Sequence, residues 1–219
     1  IKKGEKIALI GKSGSGKSSL ISIANGSLIP TKGKVKWKGF DINKISQKES
    51  SKIGTIWQDL ALIEELNVAQ NINCGALGKK NLLWALKNII GVIDKDICKK
   101  CLNAVDLSSE VMYSRISKLS GGQQKRIAIS RLLRQEPEIV LGDEPFSNLD
   151  PLLANKILDL FLKQKTYYSL ILPETILISL HQINLVHNFN RIIGLRNGRI
   201  VIDKKTIGMK LSMLESVFN

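Results

Sequence analysis

The sequence predicts an α/β fold, a core sheet covered by helices, and three observations predict it. Short apolar, β-rich runs alternate with helically patterned segments, the arrangement expected of strands and their crossovers. The first run, KIALI from Lys6 to Ile10, feeds directly into the glycine-rich stretch GKSGSGKSS, Gly11 to Ser19, which opens a helix. From about Asn67 to Arg115 the pattern turns helical with few strand signals, which sets off a separate lobe.

Taken in order, the helix after the glycine stretch should run from about Lys17 to Asn25, and Lys34 to Lys38 and Lys52 to Trp57 read as further strands. In TKGKVKWKG a period of two puts Lys32, Lys34, Lys36 and Lys38 on one face and Val35 and Trp37 on the other, a solvated face backed by an apolar one. Within the helical stretch, DICKKCLNAVDL repeats Ile97, Cys101, Leu102 and Val105 at helical spacing. Its C-x-x-C pair, Cys98 and Cys101, therefore reads as small core side chains rather than a metal or redox site. GGQQKRIAISRLLRQ is an amphipathic helix with Ile127, Leu132 and Leu133 turned inward. Short buried strands return at Glu138 to Gly142 and Thr175 to Leu180, with a helix from about Pro151 to Lys165 between them. RIIGLRNGRIVID is a hairpin turning at Asn197-Gly198.

No apolar run approaches the about 18 residues that a membrane-spanning helix requires, and the best candidate, LLWALKNIIGVI, is broken by Lys87 and Asn88. The chain begins at Ile1, almost inside its first strand, without an initiating Met or a signal-peptide pattern, so part of the natural N-terminus is expected to be missing. Lys and Arg number 33 against 19 Asp and Glu, a formal charge of +14 that suits anionic partners such as nucleic acid, phospholipid or nucleotide. The three cysteines, Cys74, Cys98 and Cys101, are too few and too unevenly placed for a disulfide framework, which points to a reducing compartment.

The chemistry is concentrated in a few stretches. GKSGSGKS fits the phosphate-loop pattern G-x-x-x-x-G-K-[ST] at Gly11, Gly16, Lys17 and Ser18. The glycines allow backbone N–H groups to surround phosphate oxygens, Lys17 would reach the β- and γ-phosphates, and the Ser18 hydroxyl would ligate Mg²⁺. In VLGDEP the adjacent Asp143 and Glu144 end a buried run. As neighbours on a strand they would point in different directions, so that one serves the metal and the other polarises a water for in-line attack. LSGGQQKR, Leu119 to Arg126, looks like a second anion-binding helix start, although one nucleotide needs only one.

These stretches, with Gln58 after the strand GTIW, the SNLD of Ser147 to Asp150 and His181 after TILISL, occur in the order and spacing of ATP-binding cassette (ABC) ATPases. The sequence resembles that family over nearly its whole length. The resemblance implies a P-loop NTPase of ABC type: one domain over residues 1–219 with a mixed core sheet flanked by helices, a small antiparallel β subdomain, and an α-helical lobe at 67–135 carrying LSGGQ. It implies that Gly11, Lys12, Ser13, Gly14, Ser15, Gly16, Lys17, Ser18 and Ser19 hold ATP, that Ser18, Gln58 and Asp143 serve Mg²⁺, and that Glu144 is the general base. By the same resemblance Gln58 contacts the attacking water and reports to the membrane partner, and His181 positions the γ-phosphate and water. Ser120, Gly121, Gly122 and Gln123 would cap the ATP of a second copy packed head to tail, with Asp150 organising the opposing site, which explains two cradles in one chain.

The partners so implied are that second copy, transmembrane permease subunits and a periplasmic or extracellular solute-binding protein, at the cytoplasmic face of the cell membrane. Nucleic acid is not an expected partner, although the charge leaves a cassette ATPase acting on RNA or DNA as an alternative. Detail around Gln58, Trp84 and the RIIGLR run is similar to phosphonate and phosphite importers, while importers of methionine and exporters of lipoprotein or macrolide type share most of the same residues. Two departures stand out. No aromatic residue precedes Gly11 to stack an adenine, and TYYSLILPE replaces the short polar turn expected before TILISL.

Overall fold

A computed structural model describes residues 1–163, 165–180, 183–209 and 214–218. Along the chain the elements are β1 (Lys6–Ile10), α1 (Lys17–Ala24), β2 (Lys36–Trp37), β3 (Phe40–Asp41), α2 (Gln47–Ser50), β4 (Ile53–Ile56), α3 (Val68–Asn73), α4 (Leu82–Ile90), α5 (Lys95–Ala104), α6 (Gly121–Gln135), β5 (Ile139–Gly142), α7 (Pro151–Lys163), β6 (Thr166–Tyr167), β7 (Leu170–Ile171), β8 (Thr175–Ser179), β9 (Arg191–Arg196), β10 (Arg199–Lys205) and α8 (Glu215–Phe218). The central sheet runs β10-β9-β1-β8-β5-β4, and every pair in it is parallel except the terminal hairpin β9/β10. It is therefore mixed. The carboxyl ends of β1, β8, β5 and β4 lie side by side, where α/β folds present their ligand crevices.

Alternation along β1 divides the core between the two faces of the sheet. Ile7 and Leu9 join Ile21 of α1 with Leu141, Leu177 and Ile193 on one face. Ala8 and Ile10 join α6 and α7 through Ile127, Ile129, Ile157 and Phe161 on the other. Burying such side chains on both faces is worth roughly 1.5–3 kcal/mol each, which makes this sheet the rigid base of the molecule.

Between β4 and α6 the described backbone is helical throughout, apart from loops and one isolated bridge, Asn67 with Arg115. Cys98 and Cys101 are buried in the core that α5 shares with α3 and α6, and both are free thiols. Desolvation pushes both up to about 12, which makes them inert core residues. Helix α4 has an inverted character. Its Asn88 is buried and bonded to Asn73 (3.0 Å) and Gln70, while Leu82, Leu83, Leu86, Ile89 and Ile90 are exposed. Among the described residues no helix is long and apolar enough to cross a membrane.

Two small antiparallel hairpins flank the sheet, and each differs from expectation. The predicted strand Lys34–Lys38 shrinks to the two residues of β2, because Lys38 (φ 49°) and Gly39 (φ 91°) turn the chain back into β3. Its lysines are all exposed, Val35 and Trp37 pack on the core, and Lys38 pairs with Glu138 at 2.7 Å, so the stripe is a solvated face. TYYSLILPE is the hairpin β6/β7, whose turn residues Tyr168 (φ 46°) and Ser169 (φ 70°) take a left-handed conformation without glycine. Leu170 and Leu172 anchor it in the core. The Asn197-Gly198 turn forms as read, with φ 49° and 74°.

Candidate active site

The phosphate loop leaves β1 at Gly11, where a Cβ would collide with the Leu195 carbonyl oxygen of β9 and with Ser15 Oγ. Gly16 precedes α1 with φ 101°, and no side chain caps that helix, so its first amides are not claimed by a side chain. Lys17 is only 5% exposed. Its ammonium is folded over the loop, donating to the carbonyls of Gly11 (2.8 Å) and Lys12 (3.0 Å). Ser15 Oγ is buried with no hydrogen-bond partner among the described residues. The Ser15 carbonyl accepts from the Gly198 amide at 3.1 Å, so the turn of the β9/β10 hairpin supports the loop from outside. Lys12, Ser13, Gly14, Ser18 and Ser19 are exposed, open to an incoming anion. A cation held beside carbonyls, an orphaned hydroxyl and a glycine cradle together fit a polyphosphate.

Both carboxylates lie just beyond β5, which ends at Gly142, so the expected strand alternation does not separate them. What separates them is backbone conformation. Asp143 continues the sheet, its amide bonded to the Ile56 carbonyl of β4 at 2.8 Å, and is 4% exposed. Glu144 then takes φ 49°, a left-handed position uncommon for a residue with a side chain. Ser179, the last residue of β8, links the two. Its hydroxyl donates to Asp143 Oδ1 at 2.8 Å and accepts from the Glu144 amide at 2.9 Å. Sequence reasoning missed Ser179. Its signal was a hydroxyl closing the apolar run Ile176 to Ile178 of β8, TILIS.

Gln58 is exposed two residues past β4, on the same end of the sheet. The Asp143 carboxylate, the Ser18 hydroxyl and the Gln58 amide each offer an oxygen, the donor chemistry that would suit a hard cation such as Mg²⁺. His181 lies outside the described residues.

The LSGGQ start is built differently from the phosphate loop. Ser120 is the N-cap of α6 in a capping box: its hydroxyl accepts from the Gln123 amide (3.3 Å) and its own amide donates to Gln123 Oε1 (2.9 Å). Ser120 and Gly121 are exposed, and a Cβ on Gly121 would meet nothing within 4 Å. The chain's own packing thus gives no reason for glycine at 121. A Cβ on Gly122 would sit 3.7 Å from the Asn148 carbonyl, so SNLD runs past the start of α6. Asp150 caps α7, its Oδ1 accepting from the amides of Leu152 (3.0 Å) and Leu153 (3.2 Å).

The profile of the ABC transporter family matches residues 1–147, a span that includes the phosphate loop, LSGGQ and both carboxylates. The chain belongs to the ABC transporter family. As such it is an ATP-binding cassette and an ATP hydrolase. It is 36% identical to a protein of Nostoc named phosphonates import ATP-binding protein PhnC 1, over all of this chain and 83% of that protein. To a PhnC of Lactococcus lactis subsp. cremoris it is 34% identical, over all of this chain and 89% of the other. Among solved structures it is similar to a dimeric ATP-binding cassette in a post-hydrolysis state bound to ADP and Pi, with a TM-score of 0.79, 28% identity, and 95% and 88% of the two chains covered. The fold of this ABC ATPase, a mixed sheet with flanking helices and small antiparallel hairpins, is the one the sequence predicted.

Proposed function

We propose that this chain is the ATP-hydrolysing subunit of an importer for phosphonate, phosphite or a similar small anion, working as a head-to-tail pair on transmembrane permease subunits fed by a solute-binding protein. The observation that carries the cargo reading is the likeness, over all of this chain, to proteins named for phosphonates import. In this reading residues 1–219 form one ABC ATPase domain, with 67–135 as its signature lobe, placed at the cytoplasmic face of the membrane. The exposed apolar face of α4 supports docking on an apolar partner, because a stripe of Leu82, Leu83, Leu86, Ile89 and Ile90 is more than scattered surface hydrophobicity.

The site geometry supports a two-chain hydrolysis. Lys17 exchanges its two loop carbonyls for β- and γ-phosphate oxygens, while the amides of Ser13 to Ser19 and the freed start of α1 surround the rest. A Mg²⁺ ion held by Ser18, Asp143 and Gln58 would neutralise charge between the phosphates. Ser179 keeps Asp143 turned to that ion and fixes the amide of Glu144, whose carboxylate takes the proton from water as the oxygen–phosphorus bond forms in line and the bond to ADP breaks. Gln58 and His181 orient the water. The partner's Ser120, Gly121 and Gly122 close over the γ-phosphate, with Gln123 holding Ser120 in place and Asp150 ordering the opposite site. The open space over Gly121 is what a partner's phosphate would need.

Reconstitution tests it. With its permease and binding protein in vesicles, ATP turnover should rise several-fold on adding methylphosphonate-loaded binding protein and not with methionine or sulfate. Equal response to methionine would refute the anion cargo, and salt-sensitive nucleic-acid binding with no permease association would favour the alternative that the +14 charge suggests.

A further inference from the structure

Lys125 lies on α6, two residues beyond the LSGGQ capping box, and only 4% of it is exposed. An ammonium is costly to bury and persists where it is fully bonded. Here Nζ donates to the backbone carbonyl of Glu144 at 2.9 Å and to Ser147 Oγ at 2.6 Å. Ser147 closes the arrangement by donating to the same Glu144 carbonyl through both its hydroxyl (2.9 Å) and its amide (3.1 Å). Desolvation lowers the Lys125 pKa, and the nearby charges of Glu144 and Asp143 work against that lowering. A buried cation at a helix–turn contact, where an apolar side chain would pack at less cost, asks for a reason beyond packing.

That reason lies in what the two ends of the contact do. Glu144 sits at φ 49°, a strained conformation that persists only when its surroundings over-determine it. Ser179 holds its amide, and Lys125 with Ser147 hold its carbonyl. At the other end, Lys125 is four residues, about one helical turn, from Gly121, on the helix whose first turn faces the second copy in the function proposed above.

We propose that Lys125 is a positioning residue for ATP hydrolysis: it ties the first turn of α6, which serves the partner's ATP, to the backbone of Glu144, which serves the chain's own. It rests on the reading above of Glu144 as base and of Ser120 to Gly122 as the partner's cap. Closure of the partner's site on the start of α6 is then transmitted through one side chain to the position of the base in the other site, so the two sites act as a coupled pair. SNLD, whose Asn148 carbonyl passes Gly122 and whose adjacent Ser147 is bonded to Lys125, is the segment that both contacts hold.

The test compares Lys125→Met, which keeps the stem and loses the donor, with Lys125→Gln, a neutral donor. Steady-state kcat, KM for ATP, the Hill coefficient and thermal midpoint are measured on each, with Glu144→Gln as reference. Lys125→Met should lower kcat by about tenfold or more with KM within about twofold, since misplacing a catalytic group by a fraction of an ångström costs rate and not binding. Its Hill coefficient should fall toward about 1. Lys125→Gln should recover part of kcat. A purely structural lysine would instead lower the thermal midpoint and leave kcat per folded molecule and cooperativity unchanged, which would overturn the proposal. If Lys125→Met does not fold, Ser147→Ala decides in its place: it removes one of the two acceptors at the surface of the turn and should lower kcat with KM unchanged, and an unchanged kcat refutes the idea. Should Glu144→Gln itself hydrolyse ATP at near wild-type rate, the underlying reading fails, and that outcome is separate from a failure confined to Lys125.

Discussion

Replacing Ser179 by Ala should destabilise the empty protein measurably while disabling it. The side chain is completely buried, and its one hydroxyl makes two bonds, to Asp143 Oδ1 at 2.8 Å and from the Glu144 amide at 2.9 Å. Losing the bond to the carboxylate costs roughly 1.5–3 kcal/mol, and losing the acceptor of a part-buried amide adds about 1 kcal/mol, giving about 2.5–4 kcal/mol in all. For a chain of 219 residues each kcal/mol shifts the thermal midpoint by roughly 2–4 °C, so the expected fall is about 5–15 °C. The assay is thermal unfolding without nucleotide, because ligand binding would mask part of the loss. Hydrolysis should fall as well, by about 10²-fold, since Asp143 loses the hydroxyl that orients its carboxylate and the Glu144 amide loses its acceptor. A midpoint within about 2 °C of wild type would correspond to less than about 1 kcal/mol and would refute the claim that this hydroxyl organises the acidic pair.

Glu144→Gln should abolish steady-state hydrolysis, keep ATP binding and accumulate an ATP-dependent dimer on gel filtration; turnover within about threefold of wild type would count against the base assignment. Gly122→Asp should block dimer closure while leaving monomer ATP affinity nearly intact, whereas Lys17→Ala should weaken ATP binding directly by roughly 1.5–3 kcal/mol. Mixing those two chains should restore some activity, because one composite site then pairs an intact phosphate loop with an intact LSGGQ. Iodoacetamide at pH 8 should modify native Cys98 and Cys101 only on unfolding, with mass spectrometry as the readout, since desolvation holds both near 12. Their raised folded pKa means that stability is fully present below the unfolded thiol value of about 9 and is lost as pH rises toward 12. Cys98→Ala with Cys101→Ala should flatten that alkaline loss, and an unchanged slope would refute the assignment.

What could be read from the sequence is what depends on local spacing. The glycine pattern from Gly11 to Gly16 encodes a backbone shape, and the apolar run before Asp143 encodes a strand end, so the phosphate loop and acidic pair were visible at once. Ser179 and Lys125 were not, because their meaning comes from β8 and α6 meeting the turn after β5, contacts 35 and 19 residues apart in the chain. The sequence places Glu144 on a strand for the same reason: nothing in VLGDEP announces a left-handed glutamate held from both sides. Tyr168 and Ser169 turn a hairpin that glycine or asparagine would normally signal, and burial of Leu170 and Leu172 overrides the local preference. Gln123 and Asp150 show the opposite case. Both were read for nucleotide, and both also have plain helix-capping work that S-x-x-Q and Asp-Pro spell out.

The support of Ser15 by the Asn197-Gly198 turn bears on how this protein can be engineered. Hairpin tips are the usual choice for inserted tags and for new chain ends, because they tolerate extra residues. Here that tip donates to the phosphate loop, and the neighbouring Leu195 carbonyl occupies the place a Cβ on Gly11 would need. An insertion at 197–198 would therefore loosen the cradle from behind and raise the KM for ATP, although it lies some 180 residues downstream of the loop it disturbs. The Gly33 turn near the lysine stripe, where an added Cβ would meet nothing within 4 Å, is the safer place to open this chain.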